Sequence, residues 1–172
     1  MTTSISSSHW IACPPAANGI EAADALAAAY GADRLLLGAT YIDAMRKGPG
    51  IVSEHGGNCN IVFGREDGRR TEEAVAVYDA LSGAGIDTEL SERATVELWS
   101  KLVFICALSG MSCIAQGPIA EVLDNPGPAE LAWQVMREVE TVARAKGVVL
   151  DAAVVETKMA VLQAEKDEIL SS

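Results

Sequence analysis

The chain has 172 residues, with 13 Lys+Arg against 24 Asp+Glu and a formal net charge of −11. Apolar residues make up 49% and charged residues 22%, which excludes wholesale disorder, and the length suits one domain, or one domain and part of another. The acidic balance argues against nucleic-acid and anionic-membrane partners, both of which need cationic side chains.

The first residues, Met1-Thr2-Thr3-Ser4, show no basic segment or apolar run of the secretory kind. Residues 1–17 read as an irregular entry interrupted by Pro14-Pro15. The Ala-rich stretch 21–30 favours a helix, and Gly31 is placed to end it. Residues 34–44 turn strand-like through Leu35, Leu36, Leu37, Thr40, Tyr41 and Ile42, and Gly48-Pro49-Gly50 is a turn. Two short strands, 51–55 and 59–63, flank Gly56-Gly57, and their spacing predicts a hairpin closed by Gly64.

From Thr71 the period becomes helical. Thr71 is an N-cap candidate, with Glu72 and Glu73 suiting the helix dipole in the first turn. Gly83 and Gly85 end this helix, residues 86–90 form a short strand or extended link, and Ser91-Glu92 opens a long helix. Residues 102–120 carry no charge, but Ser109, Gly110, Ser112, Gln116, Gly117 and Pro118 interrupt the run, which favours a buried helix that breaks near its end over a membrane span. Ala132, Val135, Met136, Val139, Val142 and Ala143 then make one apolar helical face, bounded by Pro126 and Pro128 before and Gly147 after. A final helix spans about 151–170, with Val155, Met159 and Leu162 as its apolar side. The expected fold class is a partial α/β Rossmann-type segment, residues 1–70, followed by an all-helical part, residues 71–172, mainly helical overall.

Several motifs are excluded by their context. Gly83-Ala84-Gly85 follows a helix instead of a strand and has Thr88 where a dinucleotide loop needs its third glycine. Gly110-Met111-Ser112 lacks the second glycine of a nucleophile elbow. The cysteines, Cys13, Cys59, Cys106 and Cys113, form no CxxC pair, and with only His9 and His55 beside them no metal site is expected. They read as reduced thiols of a cytoplasmic protein.

Lys101 is the last charge before the uncharged run. It reads either as a lysine that snorkels from a buried helix, or as one in a partly desolvated cleft, where an ammonium can donate a proton or hold an oxygen that is gaining negative charge.

Several segments, in order, resemble the ketopantoate reductase (2-dehydropantoate 2-reductase) family: Asn18-Gly19-Ile20-Glu21, residues 37–44, Gly48-Pro49-Gly50-Ile51-Val52, Ile61-Val62-Phe63-Gly64, Ala84-Gly85-Ile86, Leu98-Trp99-Ser100-Lys101-Leu102, Asp124-Asn125-Pro126, and Glu138-Val139 with residues 143–147. The resemblance covers roughly residues 18–172. It implies NADPH-dependent reduction of a small 2-oxo acid, ketopantoate to pantoate, in the cytoplasm, with neither nucleic acid nor membrane as partner. Lys101 matches the catalytic lysine, Asn18 the amide near cofactor and substrate, and Ser171-Ser172 the start of a motif that holds the substrate carboxylate.

The sequence also departs from the pattern. Ile105 and Ser109 stand where the family has asparagines, which leaves Ser109 as a substrate-binding candidate and implies an altered pocket beside Ile105. Pro14-Pro15-Ala16-Ala17 replace an apolar strand and a glutamine. The family's first strand and glycine-rich loop have no counterpart, nor has a later glutamate-bearing segment, so the chain reads as an interior fragment expected to bind NADPH weakly or not at all. The alternative is a non-catalytic helical module that forms a homodimer through apolar helices and an exposed sheet edge.

Overall fold

The structure is a computed structural model that describes residues 11–12, 20–42, 44–54 and 59–171, with side chains between residues 20 and 164 of these. It separates into two compact units, Met1–Glu97 and Leu98–Ser172.

The first unit is α/β. Strand β1 (Ile11–Ala12) is joined through helix α1 (Glu21–Tyr30) and a 3-10 turn (Ala32–Arg34) to β2 (Leu35–Tyr41), and the two strands run parallel, as a helical crossover permits. Strand β5 (Asn60–Gly64) pairs antiparallel with β2, and β6 (Asp87–Leu90) pairs parallel with β5 after a second crossover, helix α2 (Glu72–Gly83). The sheet order is β1-β2-β5-β6. The fold class is the expected Rossmann type, but its sheet takes in β6, reached through α2, beyond the expected end of that segment at residue 70. Its core gathers Leu36, Phe63, Ala74 and Leu90, with Val75, Tyr78 and Leu81 of α2 packed against it. Gly38 lies opposite Phe63 in the register, and a Cβ there would approach the Phe63 Cβ to 3.0 Å. The Thr71 cap forms as expected, its Oγ1 accepting from the Ala74 N–H at 3.3 Å.

The hairpin is not where glycine spacing put it. The strand-like stretch ends at Tyr41, and a separate two-stranded sheet joins β3 (Ala44–Gly48) to β4 (Ile51–Glu54) across Gly48-Pro49-Gly50. β4 therefore pairs backward with β3, while β5 pairs with β2. The tight turn, with Gly50 at φ 72°, closes a shorter loop than Gly56-Gly57 could, and short closures are the favoured ones.

The second unit is helical. Helix α3 (Ala94–Ala115) starts in the first unit and carries into the second, followed by α4 (Ile119–Leu123), α5 (Pro126–Ala145) and α6 (Val154–Ser171). Met111, Val122, Met136, Met159 and Leu162 are fully buried, one or more from each helix, and the unbranched methionines fit irregular gaps between helices. The apolar face of α5 is largely as its period predicts, with Ala132, Met136 and Ala143 buried. Val142, at the edge of that face, is instead 50% exposed. Among the described residues α3 is the one helix long and apolar enough to cross a membrane by length and composition, and it carries Glu97 and Lys101 in its first two turns.

Candidate active site

The first turn of α3 is set by the backbone before it. The Ser91 N–H donates to the Phe63 carbonyl at 2.7 Å, and the Arg93 N–H donates to Ser91 Oγ at 3.0 Å. Gly64, at the end of β5, lets this chain approach, because a Cβ there would run into the Ser91 carbonyl oxygen. The buried line of α3 then runs through Trp99, Val103, Ala107 and Met111, one residue every four. At 3.6 residues per turn, Ile105 lies about 180° from that line, with Lys101 and Ser109 one turn to either side of it.

These three residues share the helix face opposite the buried line. Lys101 and Ile105 are half-buried and Ser109 is exposed. Burial holds the Lys101 ammonium below the usual lysine range, because a desolvated cation gives up its proton more readily. Burial pushes the Cys106 thiol up, on the same helix. A half-buried ammonium of this kind suits proton donation and stabilisation of a developing oxyanion. Lys101 and Ser109 are eight residues apart, about 12 Å along the axis, so the face spans more than one small substrate.

Of the other expected residues the structure describes no side chain. Asn18 and Ser172 lie outside the described residues, and Ser171 is the last residue of α6, with its side chain outside the description. No cluster of His, Cys, Asp or Glu able to hold a metal occurs among the described residues.

Two features of the first unit had no sequence signal. Tyr41, at the end of β2, has its phenol pushed up to about 12 by burial and by the charges of Glu97 and Glu89. Its position across from Asn60 depends on register, which spacing alone does not reveal. Arg65 is buried, donating to the Asp33 carbonyl at 2.6 Å and to Asp67 at 3.4 Å, and so ties the turn before β2 to the loop after β5.

The described residues do not form a cradle for a dinucleotide pyrophosphate. Such a cradle needs a glycine turn from strand to helix with open space over the backbone. Glycines with positive φ follow α1, α2 and α5 or sit in the β3–β4 turn, apart from Gly68 between β5 and α2. Over Gly68 the Cβ position is only 2.6 Å from the Glu92 carbonyl oxygen, so backbone already fills that space.

Two family models match the chain. "Ketopantoate reductase PanE/ApbA" matches residues 13–68, and "Ketopantoate reductase PanE/ApbA C terminal" matches residues 93–172. The uncharacterized oxidoreductase YkpB of Bacillus subtilis is 29% identical over 142 residues, covering 83% of this chain and 47% of that protein. A 2-dehydropantoate 2-reductase of Archaeoglobus fulgidus is 32% identical over 132 residues, covering 77% of this chain and 45% of that protein. Among solved structures, a 2-dehydropantoate 2-reductase from Geobacter metallireducens superposes with TM-score 0.77 at 25% identity, covering 86% of this chain and 50% of that one. The chain thus spans about half the length of the curated relatives it matches.

Proposed function

The chain belongs to the ketopantoate reductase family, and from that premise we propose that it carries the substrate half of a nicotinamide-dependent 2-oxo acid reductase, with Lys101 as the general acid. The observation that supports this most is the half-buried Lys101 ammonium, lowered by desolvation on the face of α3 opposite its buried line. Reduction of a ketone builds charge on its oxygen. Lys101 meets that charge and supplies the proton, a contribution of about 10²–10⁴-fold in rate. Ser171 and Ser172 supply hydroxyls for the substrate carboxylate and Asn18 an amide between cofactor and substrate, whereas Ser109, about 12 Å along α3 from Lys101, is too far to hold a carboxylate next to the ketone that Lys101 protonates. The hydride would come from NADPH. The described residues form no pyrophosphate cradle, and the roles assigned to their side chains are substrate binding and proton transfer.

The test is NADPH oxidation by the 172-residue chain at high NADPH and 2-oxo acid. Turnover abolished in Lys101→Ala supports the assignment, and turnover unchanged in that variant overturns it. Weak NADPH binding is the expected accompaniment, and a titration giving micromolar affinity would contradict that expectation. A cytoplasmic setting agrees with Cys59, Cys106 and Cys113, all free thiols.

A second reading, a helical dimerisation module, is favoured by Ile114 and Val149, which are 70% and 75% exposed in the second unit. Sedimentation separates the two. A monomer at high concentration counts against the module, and association in the module would be indifferent to Lys101→Ala.

A further inference from the structure

We infer that Ile105 is a specificity-determining residue that directs the Lys101 face toward 2-oxo acids whose substituent next to the ketone is a hydrocarbon without a hydroxyl. The inference rests on the 2-oxo acid reading of Lys101.

The argument begins with where α3 spends its apolar residues. Only 22% of its most apolar stretch is buried, and the buried line is accounted for by Trp99, Val103, Ala107 and Met111. Ile105 lies on the far side from that line, about 180° away, and is only half-buried, so the core does not fully account for an isoleucine there. It stands one helical turn from Lys101, the spacing at which side chains on a helix meet. Leu102 is half-buried beside them. Carbonyl chemistry at the Lys101 ammonium therefore takes place against a β-branched hydrocarbon wall that can neither donate nor accept a hydrogen bond.

A ligand hydroxyl placed against that wall would lose its water and gain no partner, which is costly. A methyl group in the same place would gain contact. Hydrophobic pockets reject an added hydroxyl only moderately, by about 10²-fold at most. The expected discrimination is therefore tenfold to about a hundredfold, not absolute.

The probe is a matched pair, 3,3-dimethyl-2-oxobutanoate and its 4-hydroxy derivative, which differ by one hydroxyl. Binding to the cofactor-free chain is measured by saturation-transfer NMR, so the result does not depend on NADPH. The wild-type chain is expected to bind the unhydroxylated acid at least tenfold more tightly. Ile105→Asn should remove or reverse that preference, and Ile105→Val should keep it, which separates loss of the apolar wall from loss of fold. Lys101→Ala should weaken both acids alike. Equal affinity in the wild type, or a preference that survives Ile105→Asn, overturns the inference and leaves the reductase reading standing. If neither acid binds, or if Lys101→Ala changes nothing, the reductase reading falls and this inference with it.

Discussion

Replacing Gly64 by alanine is expected to destabilise the first unit severely for so small a change. Gly64 does not need a left-handed backbone, so the effect is steric. Its added Cβ would collide with the carbonyl oxygen of Ser91, lie 3.1 Å from the carbonyl carbon and come within 3.4 Å of the Ala94 Cβ. The first two are backbone atoms, which cannot rotate away as a side chain could. Relief requires β5 and the start of α3 to part, and that stretches the 2.7 Å bond from the Ser91 N–H to the Phe63 carbonyl. Overpacking costs about 1–3 kcal/mol and the hydrogen bond about 0.5–1.5 kcal/mol, so the expected loss is about 2–4 kcal/mol from a total of about 5–15. Urea unfolding followed by circular dichroism reads this directly. With a slope near 2 kcal/mol per molar, the midpoint should fall by about 1–2 M, and the Ser91 amide should exchange faster. Gly83→Ala is the control. It sits at the end of α2 with nothing within 4 Å of its Cβ position, and should be neutral or gain about 0.5–1 kcal/mol. A Gly64→Ala midpoint within about 0.3 M of wild type would refute the close approach on which the start of α3 depends.

Three further outcomes are expected. Gln116, just past α3, holds φ 52°, and Gln116→Gly should stabilise by about 1 kcal/mol in thermal melts because glycine tolerates that conformation; a lower melting temperature would contradict it. Met136→Ala should cost about 2–5 kcal/mol, since the side chain is fully buried among the helices of the second unit, and a loss under about 1 kcal/mol would mean the core is looser than its burial implies. For Tyr41, the folded phenol titrates at about 12 against an ordinary 10.0. Between those values the unfolded chain has lost a proton that the folded one keeps, so stability falls as pH rises through the window. Urea midpoints across that range should show the fall, and Tyr41→Phe should remove it.

Helices were the most legible part of the sequence. The cap at Thr71, the glycine stop at Gly31, the proline start of α5 and the Val155, Met159, Leu162 face of α6 all express short-range rules, and each appears in the structure. Strand pairing was less legible because it depends on partners far apart in sequence. Residues 51–55 and 59–63 carry turn residues between them, yet β4 folds back on β3, and β5 finds β2 from 19 or more residues away. Val142 shows a smaller limit of the same kind: a helical period marks a face, but the neighbouring helix decides how wide a strip of it is covered. At the candidate site, Lys101 stands out in the sequence because it is the last charge before a long uncharged run. Tyr41 was not, since the carboxylates that raise it, Glu89 and Glu97, come from β6 and α3 and meet it only through folding.

The acidity of the chain bears on the proposed reaction in a way that its sign alone does not suggest. A 2-oxo acid is an anion, and a net charge of −11 repels it from afar. In physiological salt that repulsion is screened beyond about 8 Å, so what the ligand meets is the local surface. Along α3 that surface has no charge from Leu102 onward, and Lys101 stands at its border. A half-buried ammonium bordered by hydrocarbon interacts with an anion in a lower effective dielectric than water, where attraction at about 4 Å rises from about 1 to about 4 kcal/mol. On this reading Ile105 does more than exclude a hydroxyl: by keeping water from Lys101 it strengthens the interaction with the carbonyl oxygen as charge builds there. Its replacement by asparagine should then weaken binding of the unhydroxylated acid and make that binding more sensitive to salt, because a wetter site is a more screened one. Binding that weakens without any change in salt sensitivity would assign Ile105 to shape alone.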